Sequence, residues 1–138
     1  MMRIYLAGPL FTDAERIFNE VLCKKLEDLG HDVFLPQKYV AEHVDFSVEG
    51  WQMQVFKKNC EEIQAADIII AILDGAIVDD GTSWEIGHAY SLGKVIYGVR
   101  TDFRIVGLEG PINLMISQSL TKMFVSTENL LSCDLLAH

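Results

Sequence analysis

Cysteine is scarce, with three residues in 138 (Cys23, Cys60 and Cys133), and proline is equally rare at three. The cysteines are odd in number and widely spaced, and no Cys-x-x-Cys pair occurs. That pattern offers neither a disulfide framework nor a thiolate metal site, and reduced thiols in a cytoplasmic protein are expected. Basic residues are few, 11 against 20 acidic, for a net charge of −9. Phosphate contacts need a basic face, so no nucleic-acid partner is expected. Long-range steering of a highly anionic substrate is also disfavoured, unless a local basic pocket overcomes it. No apolar run reaches the roughly 18 residues of a membrane span. The apolar stretch behind Met1-Met2-Arg3 closes at Gly8-Pro9, which is too short for a signal peptide.

What is present suffices for a core. Half of the residues are apolar and 22% are charged, a balance that excludes disorder. A chain of this length buries roughly two-thirds of its unfolded surface and needs no metal or disulfide staple. No repeat or linker divides it, so one domain over residues 1–138 is expected.

The apolar run 3–7, closed by Gly8-Pro9, reads as a buried strand. Thr12 and Glu15 form a capping-box pair, followed at helical spacing by Ile17, Phe18, Val21, Leu22, Leu26 and Leu29. Gly30 stops that helix, and 32–35 is a second strand ended by Pro36. Residues 36–49 read as a long irregular loop holding Gln37, Tyr39, His43 and Phe46. A helix is predicted from about Gly50 to Gln64 with Trp51, Val55, Phe56, Cys60 and Ile63 inward. Its aromatics serve either as core or as a stacking surface. The strand 67–73, without a polar break after Asp67, belongs in the middle of a sheet covered on both faces.

An acidic, glycine-rich loop, 74–82, leads into a helix ending near Leu92, and 95–99 is a fourth strand. A polar loop 100–110 precedes a short helix expected near Pro111. Residues 123–125 read as a fifth strand and 127–136 as a final helix. This alternation predicts an α/β fold, a flavodoxin-like doubly wound five-stranded parallel sheet of order 2-1-3-4-5 with helices on both faces. Its switch point lies between strands 1 and 3, so loops 8–12 and 74–82 should flank one crevice.

Those loops carry the candidate chemistry. Asp74, Asp79 and Asp80 precede Glu85, near the start of a helix. An ionised carboxylate there can act as a nucleophile, and a neighbouring acid can protonate a leaving group. Paired carboxylates are suited to cleaving a glycosidic bond. Thr82-x-x-Glu85 also has capping-box spacing, and a glutamate bonded to its own N-cap is not aimed at a ligand. Arg100 and Arg104 either bind an anion such as a nucleotide phosphate or brace the loop against Asp102, Asp74 or Asp80. Glu85-x-x-His88 has di-iron spacing but no second copy, and His31, His43 and His138 form no ligand cluster, so no metal is expected. There is no Gly-x-Gly-x-x-Gly or phosphate-binding loop, and no cofactor is expected. Ser83 and Ser91 lack a nucleophile elbow, and Cys60 has no paired histidine.

Four segments occur in a telling order: Ile-Tyr-Leu-Ala-Gly-Pro-Leu-Phe at 4–11, Ala-Asp-Ile-Ile-Ile-Ala at 66–71, Asp-Asp-Gly-Thr-Ser-Trp-Glu-Ile-Gly-His-Ala at 79–89, and Asn-Leu-Met at 113–115. Together they resemble the nucleoside 2-deoxyribosyltransferase family over nearly the whole chain. The resemblance implies that Glu85 attacks C1′ of a 2′-deoxynucleoside, and that a covalent deoxyribosyl-enzyme then passes the sugar to a second base. It implies that Asp79 contacts the base and moves its proton, and that Tyr5 positions Glu85. Gly8, Pro9 and Phe11 would line the base pocket, with Gln37 joining from the long loop. Asn59 stands where some members have a second base-contacting aspartate, and an amide there holds a base edge but delivers no proton.

Asn113 and Met115 match residues that a neighbouring subunit lends to the 5′-hydroxyl end of the sugar. At least a homodimer is therefore expected, with the apolar stretch 130–136 as a candidate contact. Crowding at C2′ by Met115 or Phe11 would exclude ribose. The partners implied are 2′-deoxynucleosides and free bases. The rival readings are an N-glycoside hydrolase of deoxynucleosides or their 5′-monophosphates, and a non-catalytic nucleotide-sensing module.

Overall fold

The computed structural model describes residues 1–105 and 107–137; His138 lies outside the described residues. The chain runs β1 (Arg3–Ala7), α1 (Asp13–Asp28), β2 (Asp32–Phe34), α2 (Pro36–His43), α3 (Trp51–Ala65) and β3 (Ile68–Ile72). It continues through α4 (Asp80–Ser91), β4 (Val95–Val99), α5 (Leu114–Ser117), β5 (Lys122–Phe124), α6 (Thr127–Leu131) and α7 (Asp134–Ala137). The five strands form one parallel sheet of order β2-β1-β3-β4-β5. Ile4 pairs with Val33 on one side and Ile68 on the other, and Ile68 pairs with Val95. The winding reverses between β1 and β3, and this opens a crevice at their carboxyl ends. Among the described residues, no helix is long and apolar enough to cross a membrane.

Strand alternation divides the core into two layers. Ile4, Leu6, Ile68, Ile70 and Ile72 face Leu22 and Leu26 of α1, Leu130 of α6 and Leu136 of α7. Tyr5, Ala7, Ile69 and Ala71 face Ile63 of α3 and Ile86 and Ala89 of α4. Each fully buried isoleucine contributes about 1.5–3 kcal/mol relative to exposure. The parity also selects chemistry, because it puts the buried phenol of Tyr5 on the layer that carries Glu85.

Several elements differ from the sequence expectation. Residues 36–43 form α2 rather than irregular loop: Pro36, which ends β2, also occupies the first turn of a helix, where its missing N–H costs nothing. In α1 the Thr12–Glu15 capping box is present, but the buried stripe is Asn19, Leu22, Cys23 and Leu26. Ile17, Val21 and Leu29 lie to its sides, 60%, 49% and 44% exposed. The helix expected at Pro111 starts at Leu114, capped by Asn113, whose Oδ1 accepts from Met115 N. The C-terminal helix breaks after Leu131 into α6 and α7. Leu130 and Leu136 are wholly buried against the sheet, with Leu131 and Cys133 packed beside them. Leu130 and Leu136 are thus taken up by the core, while Ser132, Asp134 and Leu135 of that stretch stay exposed.

The termini of the described chain meet on one imidazole. His31 Nδ1 accepts from Met2 N, so its proton sits on Nε2, which donates to Leu136 O at 2.7 Å.

Candidate active site

The two loops at the switch point enclose a crevice of about 350 Å³. Gly8, Leu10 and Phe11 line it from the β1 side and Pro36 from α2. Phe56, Asn59 and Cys60 come from α3, and Asp79, Gly81, Trp84 and Glu85 from the start of α4.

The start of α4 decides what Glu85 can do. The N-cap is Asp79, whose Oδ2 accepts from Thr82 N and from Thr82 Oγ, both at 2.9 Å. The helix therefore begins a turn before the Thr82-x-x-Glu85 spacing suggests, and that capping box does not form. Thr82 is buried with its hydroxyl satisfied, and Glu85 lies a turn and a half inside the helix. Its side chain reaches across to β1, where Tyr5 Oη donates to Glu85 Oε2.

Burial dominates the electrostatics of this pair. It pushes the Glu85 carboxyl up to about 7; the Tyr5 hydrogen bond opposes that rise and the charge of Asp79 adds to it. Burial, then the Glu85 charge, push the Tyr5 phenol far above its ordinary range, so Tyr5 keeps its proton and donates. Tyr5 is held in place by Phe34, stacked at 5.5 Å. Burial and the Glu85 charge also raise the Cys60 thiol, which leaves it protonated and a weak nucleophile. A carboxyl that titrates near neutrality in an apolar crevice can serve as nucleophile, acid or base. Asn59 adds a buried carbonyl oxygen without a hydrogen-bond partner.

Tyr5→Phe isolates the hydrogen bond. A bond to a charged acceptor is worth about 1.5–3 kcal/mol, so its loss is expected to raise the Glu85 pKa by at least about one unit. Carboxyl ¹³C NMR titration reads this directly, and an unchanged midpoint refutes the assignment of Tyr5 as the donor.

The crevice brings together six of the residues singled out in the sequence: Tyr5, Gly8, Phe11, Asn59, Asp79 and Glu85. It does not include Pro9, which is buried on the far side of the loop with its carbonyl accepting from Asn19 Nδ2 at 2.9 Å. Gln37 is also elsewhere: α2 turns it toward α1, where Asn19 donates to its Oε1 and its Nε2 donates to Arg16 O. Asn113 and Met115 are exposed and do not line the crevice of their own chain. Asp74 accepts from Thr101 and Asp102 N–H groups, and Asp80 from Gly81 N, so neither loop acid is aimed at a ligand. Arg100 and Arg104 are also engaged. Arg100 donates to the carbonyls of Leu73, Gly75 and Arg104, and Arg104 pairs with Asp102. Leu10, Pro36, Cys60 and Trp84 also line the crevice, as does Phe56, one of the aromatics expected either in the core or as a stacking surface. For α3 the signal was present, since 56, 59 and 60 share one face three and four residues apart.

A neutral-range carboxylate set between a phenol and an acid, at the switch point of a doubly wound sheet, is the site of a small-molecule enzyme. The model of the nucleoside 2-deoxyribosyltransferase family matches residues 4–125, and the chain belongs to that family. Three solved structures are similar. A 2-deoxyribosyltransferase from Bacillus psychrosaccharolyticus is 36% identical over 96% of this chain and 92% of its own, with a TM-score of 0.83. A conserved protein from Enterococcus faecalis V583 is 29% identical over 95% of each chain, with a TM-score of 0.83. A 2-desoxiribosyltransferase from Leishmania mexicana is 26% identical over 92% of each, with a TM-score of 0.70. No curated protein matches the chain significantly. The protein is accordingly an enzyme of the nucleoside deoxyribosyltransferase kind.

Proposed function

We propose that the enzyme exchanges nucleobases on 2′-deoxynucleosides through a deoxyribosyl ester of Glu85. The observation that carries this reading is the Glu85 carboxyl itself, which is turned into the crevice and held by Tyr5 instead of tying off its own helix. Tyr5 holds Oε2 and leaves Oε1 to attack C1′. As the new C1′–O bond forms, the C1′–N bond breaks and its electron pair leaves with the base. The departing base takes a proton through Asp79 or a water bound to it; Asn59, an amide, only holds the base edge. A second base then attacks C1′ from the vacated side, expels the Glu85 carboxylate and gives up the proton, so none is consumed overall. Both steps pass through an oxocarbenium-like sugar, which the carboxylate stabilises, and two inversions retain configuration. These steps need no cofactor.

Asn113 and Met115 enter the crevice of a second subunit in this reading. Met115 is 72% exposed and Leu114 47%, which leaves α5 available to a partner. The 5′-monophosphate hydrolase reading is not favoured, because Arg100 and Arg104 are spent on their own loop.

Deoxyinosine and adenine distinguish the readings. The transferase yields deoxyadenosine and hypoxanthine, whereas a hydrolase yields free deoxyribose. The same assay, run with light scattering on the active fraction, is expected to find a dimer or larger assembly. Deoxyribose without deoxyadenosine refutes the exchange reading, and full activity from a monomer refutes the shared site.

A further inference from the structure

Two aromatic side chains in the crevice have no part in the chemistry described above. Phe56 of α3 and Trp84 of α4 pack against each other at 5.4 Å between ring centroids, inclined at 57°. Both are 49% exposed, and both line the crevice that holds Glu85. Trp84 is held from behind by His88, stacked at 5.1 Å one helical turn on, so its ring is fixed before any ligand arrives. It directly precedes Glu85, and a helix turns about 100° per residue. The carboxylate therefore points to β1 while the indole points toward α3. A sugar at Glu85 would place its base within reach of that aromatic wall.

Polar groups able to read a base edge are few. Asn59, Cys60, Asp79 and Glu85 are the polar side chains lining the crevice, and no arginine, lysine or glutamine joins them. Stacking must then supply much of the base affinity. A two-ring base covers more of an indole than a one-ring base does, and stacking is worth about five- to 100-fold per base.

We propose that Phe56 and Trp84 form the platform on which the nucleobase stacks, and that this platform makes purines preferred over pyrimidines. The inference rests on the deoxyribosyl-transfer reading for its reaction, but not for its binding measurement. The chain has two tryptophans, Trp51 and Trp84, and Trp51 packs on Phe46 away from the crevice. In Trp51→Phe protein, adenine is expected to quench the remaining indole emission saturably and more tightly than cytosine does.

In the exchange assay, Trp84→Ala is expected to lower kcat/KM for deoxyadenosine about tenfold, through KM, and that for deoxycytidine by less than about threefold. Trp84→Phe should recover part of the loss, and Phe56→Ala should resemble Trp84→Ala in milder form. Because both rings are half exposed, these variants should keep the wild-type circular dichroism. Equal losses for the two substrates, or no quenching by adenine, overturn the platform. Quenching without any turnover by wild-type protein keeps the platform and removes the transferase reading; exchange without quenching does the reverse.

Discussion

Glu85→Ala is expected to abolish base exchange and deoxynucleoside hydrolysis together, by about 10⁴-fold or more, because in the proposed mechanism both reactions start from the same ester. A structural role for Glu85 would give a different result, in which stability falls and activity follows it. The two roles separate on pH. The Glu85 carboxyl titrates near 7 in the folded protein, against an ordinary value of 4.5. The proposed attack on C1′ needs it ionised, so kcat/KM is expected to climb with pH through about 7 and then level off.

Stability should run the other way. Between pH 4.5 and 7 the folded chain holds a proton at Glu85 that the unfolded chain has released. Protein stability therefore falls as pH rises through that window, by about 3 kcal/mol in all. Glu85→Gln carries no such charge. It should be inactive, yet at pH 8 more stable than wild type by up to that amount, and as stable as wild type below pH 4.5. Urea denaturation at the two pH values reads the difference. A Glu85→Gln protein that exchanges bases normally, or that loses stability at pH 8, refutes the assignment.

Arg100→Leu is expected to destabilise the fold by about 3–5 kcal/mol, the range for breaking a buried charge network. Arg100 is 4% exposed. Its Nη1 donates to Leu73 O at 2.6 Å and Gly75 O at 3.1 Å, and its Nη2 to Arg104 O at 3.0 Å. The Leu73 and Gly75 carbonyls lie where β3 leads into the loop that carries Asp79, and the Arg104 carbonyl lies in the loop after β4; among the described residues no other donor reaches the first two. Arg104→Ala should leave the melting temperature nearly unchanged, because that side chain is 60% exposed and its pairing with Asp102 is screened by solvent. Thermal melts of the two variants test the contrast. If Arg100 were instead a ligand-binding group, its loss would leave the melting temperature intact, and phosphate would raise that of the wild type.

Much of this molecule is legible in its sequence, and the failures share one cause. Strands β1, β3 and β4 are short apolar runs bounded by turn residues, and local pattern fixes them. Glu85 could be named because the loop before it is acidic and its helix follows the third strand. Its freedom could not be read, since Thr82-x-x-Glu85 has capping-box spacing while Asp79 is the residue that caps the helix. Tertiary packing chooses Asp79, because burial of Thr82 requires an acceptor for its hydroxyl. Gln37 and Pro9 lie outside the crevice for a similar reason. Both are absorbed by Asn19, a buried amide on the apolar side of α1 whose hydrogen bonds join elements distant in the chain. The apolar C-terminus is indistinguishable in sequence from an exposed interface; whether Leu130 and Leu136 meet the sheet or a neighbour depends on where β5 directs the chain.

Placing β1 between β2 and β3 has a consequence for the order of assembly. Tyr5 and Glu85 belong to different βα units, 80 residues apart, and meet only after Ile4 has paired with Ile68 across an intervening segment of 63 residues. Chain closure over that span is slow compared with forming either helix. A nascent polypeptide thus exposes the phenol of its first strand long before the acid it serves has been synthesised. Under the proposed mechanism, a fragment that lacks either element is expected to carry no part of the activity.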